Sequence, residues 1–581
     1  MRITGITASS AAYFLMRSME QSQNPRLIIC PTTSAAESLV SDLVTLQETF
    51  IAPEHRKKIA FFPSWDSDLF SAIQPSLLTR NARIAVLNEL TLQRSSLNFV
   101  VTDPQGAFQA TLPPALIKKW SFQIQMGKNW GSRETLISQM QNLGYLRNES
   151  VEDPGCFSVR GDIVDLFPSG FEQPIRIQLF DELIERIRLF DIQTQKSKGD
   201  LTDPIWIGPA REVIINAETT PVLRAKIKQH ADQLDIARPV RDPILEAIQS
   251  GHYPDHSEGW APFAYAQPTS LLEYFNESSL IWFDESSVWD EWIDFYKSLQ
   301  AHSQKKQSVG LILPAPQELY LVPEENQLTK KTQLYLDRIH TVDSKQEAVI
   351  APLPATPPKS DKIAFWSDVF FNWGALGIQT VVFAPSSVQA ERLKLLLKEQ
   401  NTEFPLLKIA TGSIQEGFVW ESEKIAVLNE STVFGIKHTE KNKKNRSSAA
   451  KNWAGLKNLE TLSINDLIVH LKHGIGHYLG LTRLNAGGVE NDYLLIEYAD
   501  HDKLYLPVYH LNAIQKYSGT AASVALDKLG GQSFSKAKEK AQEAAKKMAV
   551  DLLGLYAQRQ AASGFKFSPH DSTFLEFSSK F

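Results

Sequence analysis

The sequence predicts a multi-domain α/β protein with a small β module and a long helix near its C-terminal end. Its 581 residues are enough for about four domains of ~150 residues each. Strands alternate with helices over long stretches, which favours mostly parallel sheets. Between 467 and 519, short strands are joined by Gly and Asp turns, a pattern typical of a small SH3-like or Tudor-like barrel. From 533 to 560, apolar residues recur at helical spacing.

The composition is ordinary for a globular protein and favours protein partners. Hydrophobic residues make up 43% of the chain and charged residues 22%, with a net charge of −6. A protein whose main role is to grip DNA is usually basic. Two cysteines, Cys30 and Cys156, form neither a disulfide framework nor a zinc ligand set, which fits a reducing cytoplasm. Because no apolar run approaches the ~20 residues that span a bilayer, we expect a cytoplasmic protein.

Residues 1–120 are predicted to form the first part of an α/β domain. Apolar runs indicate buried strands at 26–30, 58–62 and 98–102. A helix is predicted at 79–92. Ser34 lies three residues before Glu37, which is the spacing of a capping box. Ser34 is therefore predicted to cap the helix that follows the first of these strands.

The turn near the start of the chain occupies the place of a nucleotide-binding P-loop. A P-loop needs glycines that wrap the phosphates, a Lys for the β- and γ-phosphates and a Ser or Thr for Mg²⁺. Here Gly5 opens the turn, but Ala11 stands at the Lys position and Ala12 at the Ser/Thr position. Without the ammonium and the metal ligand, little neutralises the phosphate charge. A plain strand-to-helix turn is the favoured interpretation.

A second nucleotide-site motif occurs further along the chain. The apolar strand at 280–283 ends in Asp284 and Glu285, which has the form of a Walker B or DExH motif whose Asp holds Mg²⁺. Because this pair would face a P-loop without its lysine, a relic is favoured over a catalyst. We therefore predict no catalytic residues and no bound ATP, metal or other cofactor in this chain.

Residues 121–208 are predicted to form an α+β block with one clear alternating strand. Positions 175, 177 and 179 are apolar, so their side chains share one face of a sheet. Arg176, Gln178 and Phe180 fall on the other face. An Arg and a Phe on the solvent side of a strand indicate an interface, and a solvated face with one stray aromatic is the alternative.

Ser386 is predicted to cap a helix at 388–398 in a further α/β domain.

The remaining domain boundaries are predicted from changes in composition along the chain. The basic stretch at 438–451 is interpreted as a flexible tether, with nucleic-acid or polymerase contact as the alternative. The boundaries are predicted at 209–300 for the return to the first domain, 301–360 for a linker, 361–437 for a further α/β domain, 438–462 for a basic linker, 463–523 for the β module and 524–581 for a helical connector.

Three histidines in the β module invite a zinc interpretation: His470, His473 and His477. Two histidines on one helix face would suit a metal. Gly474 and Gly476 break any helix there, and no Cys or carboxylate completes a ligand set. Turn and strand packing is therefore the favoured role of these histidines.

The β module also carries a long run of unusually spaced residues. It comprises His473-Gly-Ile-Gly476, Tyr478-Leu-Gly480, Leu484 with Ala486-Gly-Gly488, Tyr493-Leu-Leu495, Tyr498-Ala499 and Lys503-Leu-Tyr-Leu-Pro507. This run resembles the RNA-polymerase-interacting domain of the bacterial transcription-repair coupling factor (Mfd) family, which is similar to the CarD family. The resemblance implies docking onto the RNA polymerase β subunit. The expected contacts are Leu484, Asn485, Ala486, Gly487, Gly488 and Val489.

The 121–208 block carries a second resemblance. The matching residues are Glu152-Asp-Pro-Gly155, Arg160-Gly-Asp-Ile-Val-Asp-Leu-Phe-Pro168 and Pro174-Ile-Arg-Ile-Gln-Leu-Phe-Asp181. They closely resemble the UvrA-binding domain shared by UvrB and the coupling factors. The resemblance implies that Arg160, Arg176 and Phe180 contact UvrA. It also implies a UvrB-like, P-loop-type domain with a degenerate nucleotide site, into which the UvrA-binding domain is inserted.

Together the two resemblances imply an adaptor that is not itself an enzyme. It would bind stalled RNA polymerase and recruit UvrA for nucleotide excision repair, without an activation step. The family's motor domains, which would use ATP and Mg²⁺, are not found in this sequence. The alternative is a fragment of an ATP-dependent double-stranded DNA translocase or helicase. Contact with DNA is expected through such a motor or through the basic stretch at 438–451.

Overall fold

A computed structural model describes most of the chain before residue 435 and parts of it after residue 464. The described residues are 2–434 except 19–23, 68, 71–74, 94–96, 193, 276–279, 308–310, 324–327, 329–330, 339–345, 348–349, 352, 355–361 and 400–403, then 465–470, 473–486, 489–507, 514–517, 526–529 and 540. The chain divides into two compact units, Met1–Asn442 and Lys443–Phe581. The predicted basic linker at 438–462 and, apart from residue 540, the predicted helix at 533–560 lie outside the described residues.

The first block alternates strands with helices, as predicted. Its elements are β1 (Arg2–Thr4), α1 (Ala8–Arg17), β2 (Arg26–Ile29), α2 (Thr33–Phe50), β3 (Lys58–Phe61), α3 (Leu77–Leu92), β4 (Leu97–Thr102), α4 (Pro104–Phe108) and α5 (Pro114–Trp120). The predicted cap at Ser34 is wrong. Helix α2 is capped by Thr32, whose extended backbone lets its hydroxyl accept a hydrogen bond from the Ala35 amide.

The second block is a largely antiparallel sheet with one helix. Its elements are β5 (Phe122–Ile124), α6 (Arg133–Asn142), β6 (Leu146–Arg147), β7 (Cys156–Arg160), β8 (Ile163–Leu166), β9 (Ile175–Phe180), β10 (Leu183–Phe190), β11 (Ser197–Asp200) and β12 (Ile205–Ile207). Six strands follow the order β11-β10-β9-β8-β7-β6. The entering strand β5 pairs with the leaving strand β12. The block is therefore an insertion whose two ends lie side by side.

The chain then returns to the first sheet. The elements are α7 (Thr220–Gln233), α8 (Arg238–Gln249), α9 (Ala261–Ala264), β13 (Leu280–Phe283), α10 (Glu285–Gln307), α11 (Pro316–Leu319), β14 (Gln333–Asp337) and β15 (Gln346–Glu347). The sheet has the parallel order β15-β1-β14-β13-β2-β4-β3. The prediction of a linker at 301–360 is therefore wrong, because β14 lies between β1 and β13 in this sheet.

A third α/β block packs on the first. Its elements are β16 (Ile350–Ala351), α12 (Lys362–Ala375), β17 (Gln379–Ala384), α13 (Ser387–Lys398), β18 (Leu407–Thr411), β19 (Phe418–Trp420), β20 (Ile425–Asn429) and α14 (Glu430–Phe434), in the sheet order β16-β19-β20-β17-β18. Ser386 caps α13, as predicted.

Helices α1 and α2 lie between the first and third sheets. One continuous hydrophobic cluster includes side chains of both sheets and of both helices. The Tyr13 ring lies 5.9 Å from that of Phe418, and Phe14 stacks on Trp420 at 6.3 Å. The third block therefore shares a core with the first domain.

The second unit contains an antiparallel five-stranded sheet in the order β24-β23-β22-β21-β25. Its strands are β21 (Leu467–His470), β22 (Gly474–Ala486), β23 (Val489–Glu497), β24 (Lys503–Pro507) and β25 (Ile514–Lys516). Buried side chains that include Ile468, Leu494 and Ile496 form its core. Closure of this sheet into a barrel stays a prediction. In the part of the chain that the structure describes, no helix has both the length and the apolar character to cross a membrane.

Candidate protein-interaction sites

The inserted block presents one polar sheet face, called here the outer face, which carries Arg160, Ile163, Gln178 and Arg186. Arg160 lies opposite Ile163, Ile163 opposite Gln178, and Gln178 opposite Arg186. Directly opposed residues point to the same side of a sheet, so these four form one row across β7–β10. Phe180 lies two residues beyond Gln178 on β9 and shares this face. The opposite face packs on the core of the block.

Phe180 is the most exposed large apolar side chain of this block, at 71%. It ends β9, and a two-residue turn leads to Leu183, which is 39% exposed. The segment 127–131 braces this hairpin, because Trp130 donates to the Glu182 carbonyl and Gly127 to the Ile184 carbonyl, both at 2.8 Å. An aromatic ring held in solvent on a braced turn is suited to burial by a partner, which typically contributes about 1.5–3 kcal/mol.

Arg176 lies on the predicted face but is held inside the block. Its Nε and one Nη donate to the two Asp165 oxygens at 2.7 and 2.8 Å, and its guanidinium lies 4.7 Å from the Phe190 ring centroid. The side chain is 16% exposed. These hydrogen bonds raise the pKa of Arg176. The expectation of a solvent-facing arginine is thus only partly met, because the β8–β9 register places Asp165 opposite Arg176.

Arg160 ends β7 and is exposed. One of its Nη atoms donates to the Glu149 carbonyl at 3.0 Å. The structure therefore brings Arg160, Arg176 and Phe180 to one face, with Arg160 and Phe180 open to solvent and Arg176 supporting the strands between them.

The predicted polymerase contacts lie at the end of a long hairpin. Strands β22 and β23 pair Leu484 with Asn491, Asn485 with Glu490, and Ala486 with Val489. Gly487 and Gly488 lie outside the described residues. The predicted residues are therefore the last pairs of the hairpin and its connection.

The base of this hairpin is tied to the segment 526–529. The Ile475 amide donates to Asp527 Oδ2 at 2.8 Å, and the Asp527 amide donates to the Ile475 carbonyl at 3.0 Å. Gly474 has φ +82°, and a Cβ there would lie 2.2 Å from Asp527 Oδ2. Glycine at 474 is therefore required by both its backbone conformation and this close approach.

The histidines of the module pack locally. The rings of His470 and His473 stack with centroids 4.7 Å apart, and the His473 amide contacts His470 Nδ1 at 3.2 Å. His477 Nδ1 lies 3.2 Å from the Asn465 carbonyl. Within the described ranges, no three His, Cys, Asp or Glu side chains are arranged to hold a metal ion.

The turn that occupies the place of a P-loop is a closed helix start. Gly5 has φ +77°, and Thr7 and Ser10 form a capping box at the beginning of α1. Ala11 and Ala12 are fully buried in the core shared with the third block. A lysine or metal-binding hydroxyl at these two positions would therefore point into packed apolar side chains.

The loop 412–416 of the third block covers this helix start. The Glu416 amide donates to Ser9 Oγ at 3.0 Å, and the Gln415 amide donates to Asp42 Oδ1 at 3.1 Å. Ser9 in turn donates to Asp42 Oδ2 at 2.6 Å. Sequence reasoning missed Ser9 and Asp42, because no local pattern signals a contact across some 370 residues.

The Walker B-like carboxylates already have protein partners. Asp284 has φ +58° and accepts a hydrogen bond from Ser287 Oγ at 2.9 Å. Arg2 forms ion pairs with Glu285 and Asp337, at 3.0 Å for the second. These contacts occupy groups that a metal ion would need.

Comparison with known proteins matches the two modules separately. Residues 122–212 match the UvrB interaction domain, and residues 462–518 match the CarD-like/TRCF RID domain. Both matches fall on the stretches that the sequence singled out.

Similarity to curated relatives extends over the whole chain. The transcription-repair-coupling factor of Haemophilus influenzae is 27% identical over 97% of this chain and 49% of its own length. Those of Bacillus subtilis and Myxococcus xanthus are each 28% identical over 100% of this chain and 50% and 51% of their own lengths. The chain spans about half the length of the curated relatives it matches. With matches to a UvrB interaction domain and a CarD-like/TRCF RID domain, the chain is similar along its full length to about half the length of the transcription-repair-coupling factors.

Proposed function

We propose that this chain is an adaptor of transcription-coupled DNA repair, which binds stalled RNA polymerase and recruits UvrA. The observation that carries the proposal is the presence of both recognition modules in one chain, at 122–212 and 462–518. Joining two binding modules raises the effective concentration of one partner near the other. A polymerase halted at a lesion would thus become a site where UvrA accumulates.

The outer face of the inserted block is the proposed UvrA contact. Phe180 offers an exposed aromatic ring and Arg160 an exposed guanidinium, which are side-chain types enriched in interface hot spots. Arg176 acts by holding β8 to β9 through Asp165. No activation step is needed in this proposal.

The end of the β22–β23 hairpin, 484–489, is the proposed contact with the β subunit of RNA polymerase. A Gly-rich connection lets a partner backbone approach closely, and strand edges of a hairpin support pairing with an extended segment. The contacts at its base through Asp527 support this hairpin as a fixed projection.

The first domain acts as a scaffold without ATP hydrolysis in this proposal. Support comes from the buried Ala11 and Ala12, from the covered start of α1 and from the ion pairs of Glu285. A P-loop site depends on exposed backbone amides and a lysine, and neither is offered here.

The alternative is that the chain belongs to an ATP-dependent double-stranded DNA translocase. The observation that favours it is that the matched relatives are about twice as long as the matched stretch. DNA contact through 438–451 belongs to the same alternative. DNA-stimulated ATP turnover by this chain that is lost in Asp284→Ala would support the enzyme and contradict the scaffold.

A double pull-down tests the adaptor. The immobilised chain is expected to retain both purified UvrA and purified RNA polymerase from the same organism. Phe180→Ala is expected to lose UvrA and keep polymerase, whereas Leu78→Ala, which removes a side chain that is 74% exposed on α3, keeps both. Equal retention of UvrA by wild type and Phe180→Ala would contradict the assignment.

A further inference from the structure

The outer face carries more positive charge than its own carboxylates neutralise. At its cross-strand positions it holds Arg160, Arg176, Arg186 and Arg188, with Asp165 and Asp200 opposing them. A third carboxylate, that of Glu185 at the edge of this row, bonds Gln178. Asp165 is bound in bidentate fashion by Arg176. Asp200 lies 4.0 Å from Arg188, which also donates to Gln178 Oε1 at 3.2 Å. Among the described residues, Arg160 and Arg186 have no carboxylate partner.

Arg186 reaches this face only because of a β-bulge. The pairing of β9 with β10 shifts between Ile184 and Arg186, so Glu185 is the extra residue. Ile184 opposes the inward Leu179, and if that register continued without a shift, Arg186 would oppose Ile177 and point into the core. Bulges of this kind re-aim side chains and are treated as functional features of a sheet.

Arg186 is exposed and has no carboxylate partner among the described residues. Glu185, its neighbour, is engaged by Gln178 Nε2 at 2.8 Å. Arg186 is thus a solvated guanidinium on a rigid strand, which differs from Arg176, whose donors are already used inside the block.

Arg160 and Arg186 end the same four-residue row. Three strand spacings of about 4.8 Å separate their backbones by about 14 Å. Between and beside them lie Ile163, Gln178 and the exposed ring of Phe180. The net charge of the whole chain is −6, so this positive row is a local feature.

We propose that Arg186 is a UvrA contact, pairing with a carboxylate on UvrA while Arg160 pairs with a second one on the far side of Phe180. This inference rests on the proposed function. Two guanidinium groups that flank an aromatic ring select a partner surface with two acidic groups around an apolar pocket, because complementary charges guide encounter and fix register. Arg176 contributes indirectly, by holding the strands.

The test measures the affinity of the full chain for purified UvrA of the same organism at two salt concentrations. Arg186→Glu is expected to weaken binding about tenfold or more, and Arg186→Gln by several-fold. Arg186→Lys keeps the positive charge, and its affinity for UvrA is expected to stay within about threefold of the wild-type affinity. Lys228→Glu makes the same change of charge at an exposed site on α7, and is expected to have no effect. The loss in Arg186→Glu should shrink at high salt.

The outcomes separate the two proposals. If the wild-type chain does not bind UvrA, both the proposed function and this inference fail. If Phe180→Ala abolishes binding while Arg186→Glu and Arg186→Gln bind within twofold of wild type, only the role of Arg186 is overturned. Circular dichroism and urea unfolding of each variant check that Arg186 substitutions leave the sheet folded, as its exposure implies.

Discussion

Arg83 donates two hydrogen bonds to Glu212, at 2.5 and 3.0 Å, in a site where both side chains are buried. The guanidinium lies between the rings of Phe62 and Trp65, at 4.3 and 4.4 Å from their centroids. Arg83 belongs to α3 of the first domain, and Glu212 follows the last strand of the inserted block. This buried ion pair therefore fixes the exit of the insertion to the scaffold.

Glu212→Gln is predicted to destabilise the first domain by about 3–5 kcal/mol. The change leaves the Arg83 charge buried without its counter-ion. The free-energy cost of this unpaired charge exceeds the net stabilisation that the intact pair contributes. Urea unfolding of the full chain measures the effect. Glu218→Gln breaks the exposed pair with Lys119 and is expected to cost about 0–1 kcal/mol. Similar midpoints for the two variants would contradict the buried pair's role.

Introducing P-loop residues is predicted not to create nucleotide binding. In the double variant Ala11→Lys with Ala12→Thr, the new polar groups must enter a core in which both positions have no solvent exposure. We expect a loss of several kcal/mol in the free energy of unfolding and no gain in binding of a fluorescent ATP analogue. Arg17→Ala, at an exposed position on the same helix, serves as the control. Tight ATP binding by the double variant would show that the helix start opens.

Much of the fold is predictable from local sequence patterns, and the failures come from distant contacts. The strands predicted at 26–30 and 98–102 agree with β2 and β4 to within one residue at each end, because buried parallel strands are short apolar runs. Strand β14 falls in the stretch predicted as a linker, 301–360. Its sequence, Gln333–Asp337, is not distinctive, and only its pairing with β1 and β13 makes it a central strand.

The candidate site, too, is predictable from local sequence patterns only in part. The alternation of β9 placed Arg176 and Phe180 on one face, but alternation gives no register with β8. Because Asp165 lies opposite Arg176, the Arg176 guanidinium is held against the block and not in solvent. The bulge at Glu185 places Arg186 on the outer face. Neither event has a signal in the sequence of a single strand.

The stability of the first domain is predicted to fall as the pH drops below the ordinary His pKa of 6.5. Burial lowers the pKa of His230 on α7, whose ring lies 5.1 Å from Phe263. The unfolded chain then binds a proton that the folded chain does not, so stability is complete above 6.5 and is lost as protons are added. Thermal unfolding between pH 7.5 and 5.5 measures this slope. His230→Leu should flatten it, whereas the exposed His55→Gln should not; equal slopes in wild type and His230→Leu would count against the assignment.

Gly474→Ala is predicted to loosen the β module of the second unit and to weaken the proposed binding of polymerase with it. Alanine at φ +82° costs about 1–2 kcal/mol for the left-handed backbone alone, and its Cβ would also collide with Asp527 Oδ2, 2.2 Å away. The displaced carboxylate then releases the Ile475 amide at the base of the hairpin. Faster hydrogen exchange of β21 and β22 amides, and lower affinity for purified RNA polymerase, are the expected readouts.

The matched control for that collision is Gly251→Ala. Gly251 has φ +75°, and nothing lies within 4 Å of its Cβ position, so this variant carries the backbone strain without the clash. It is expected to perturb only the end of α8 and to leave polymerase binding unchanged. Adding Asp527→Gly to Gly474→Ala removes the clash but also the bond to Ile475, so affinity should not recover. Full recovery of polymerase affinity in that double variant would mean that Asp527 does not hold the hairpin. It would contradict the proposed link between the base of the hairpin and the contact at 484–489.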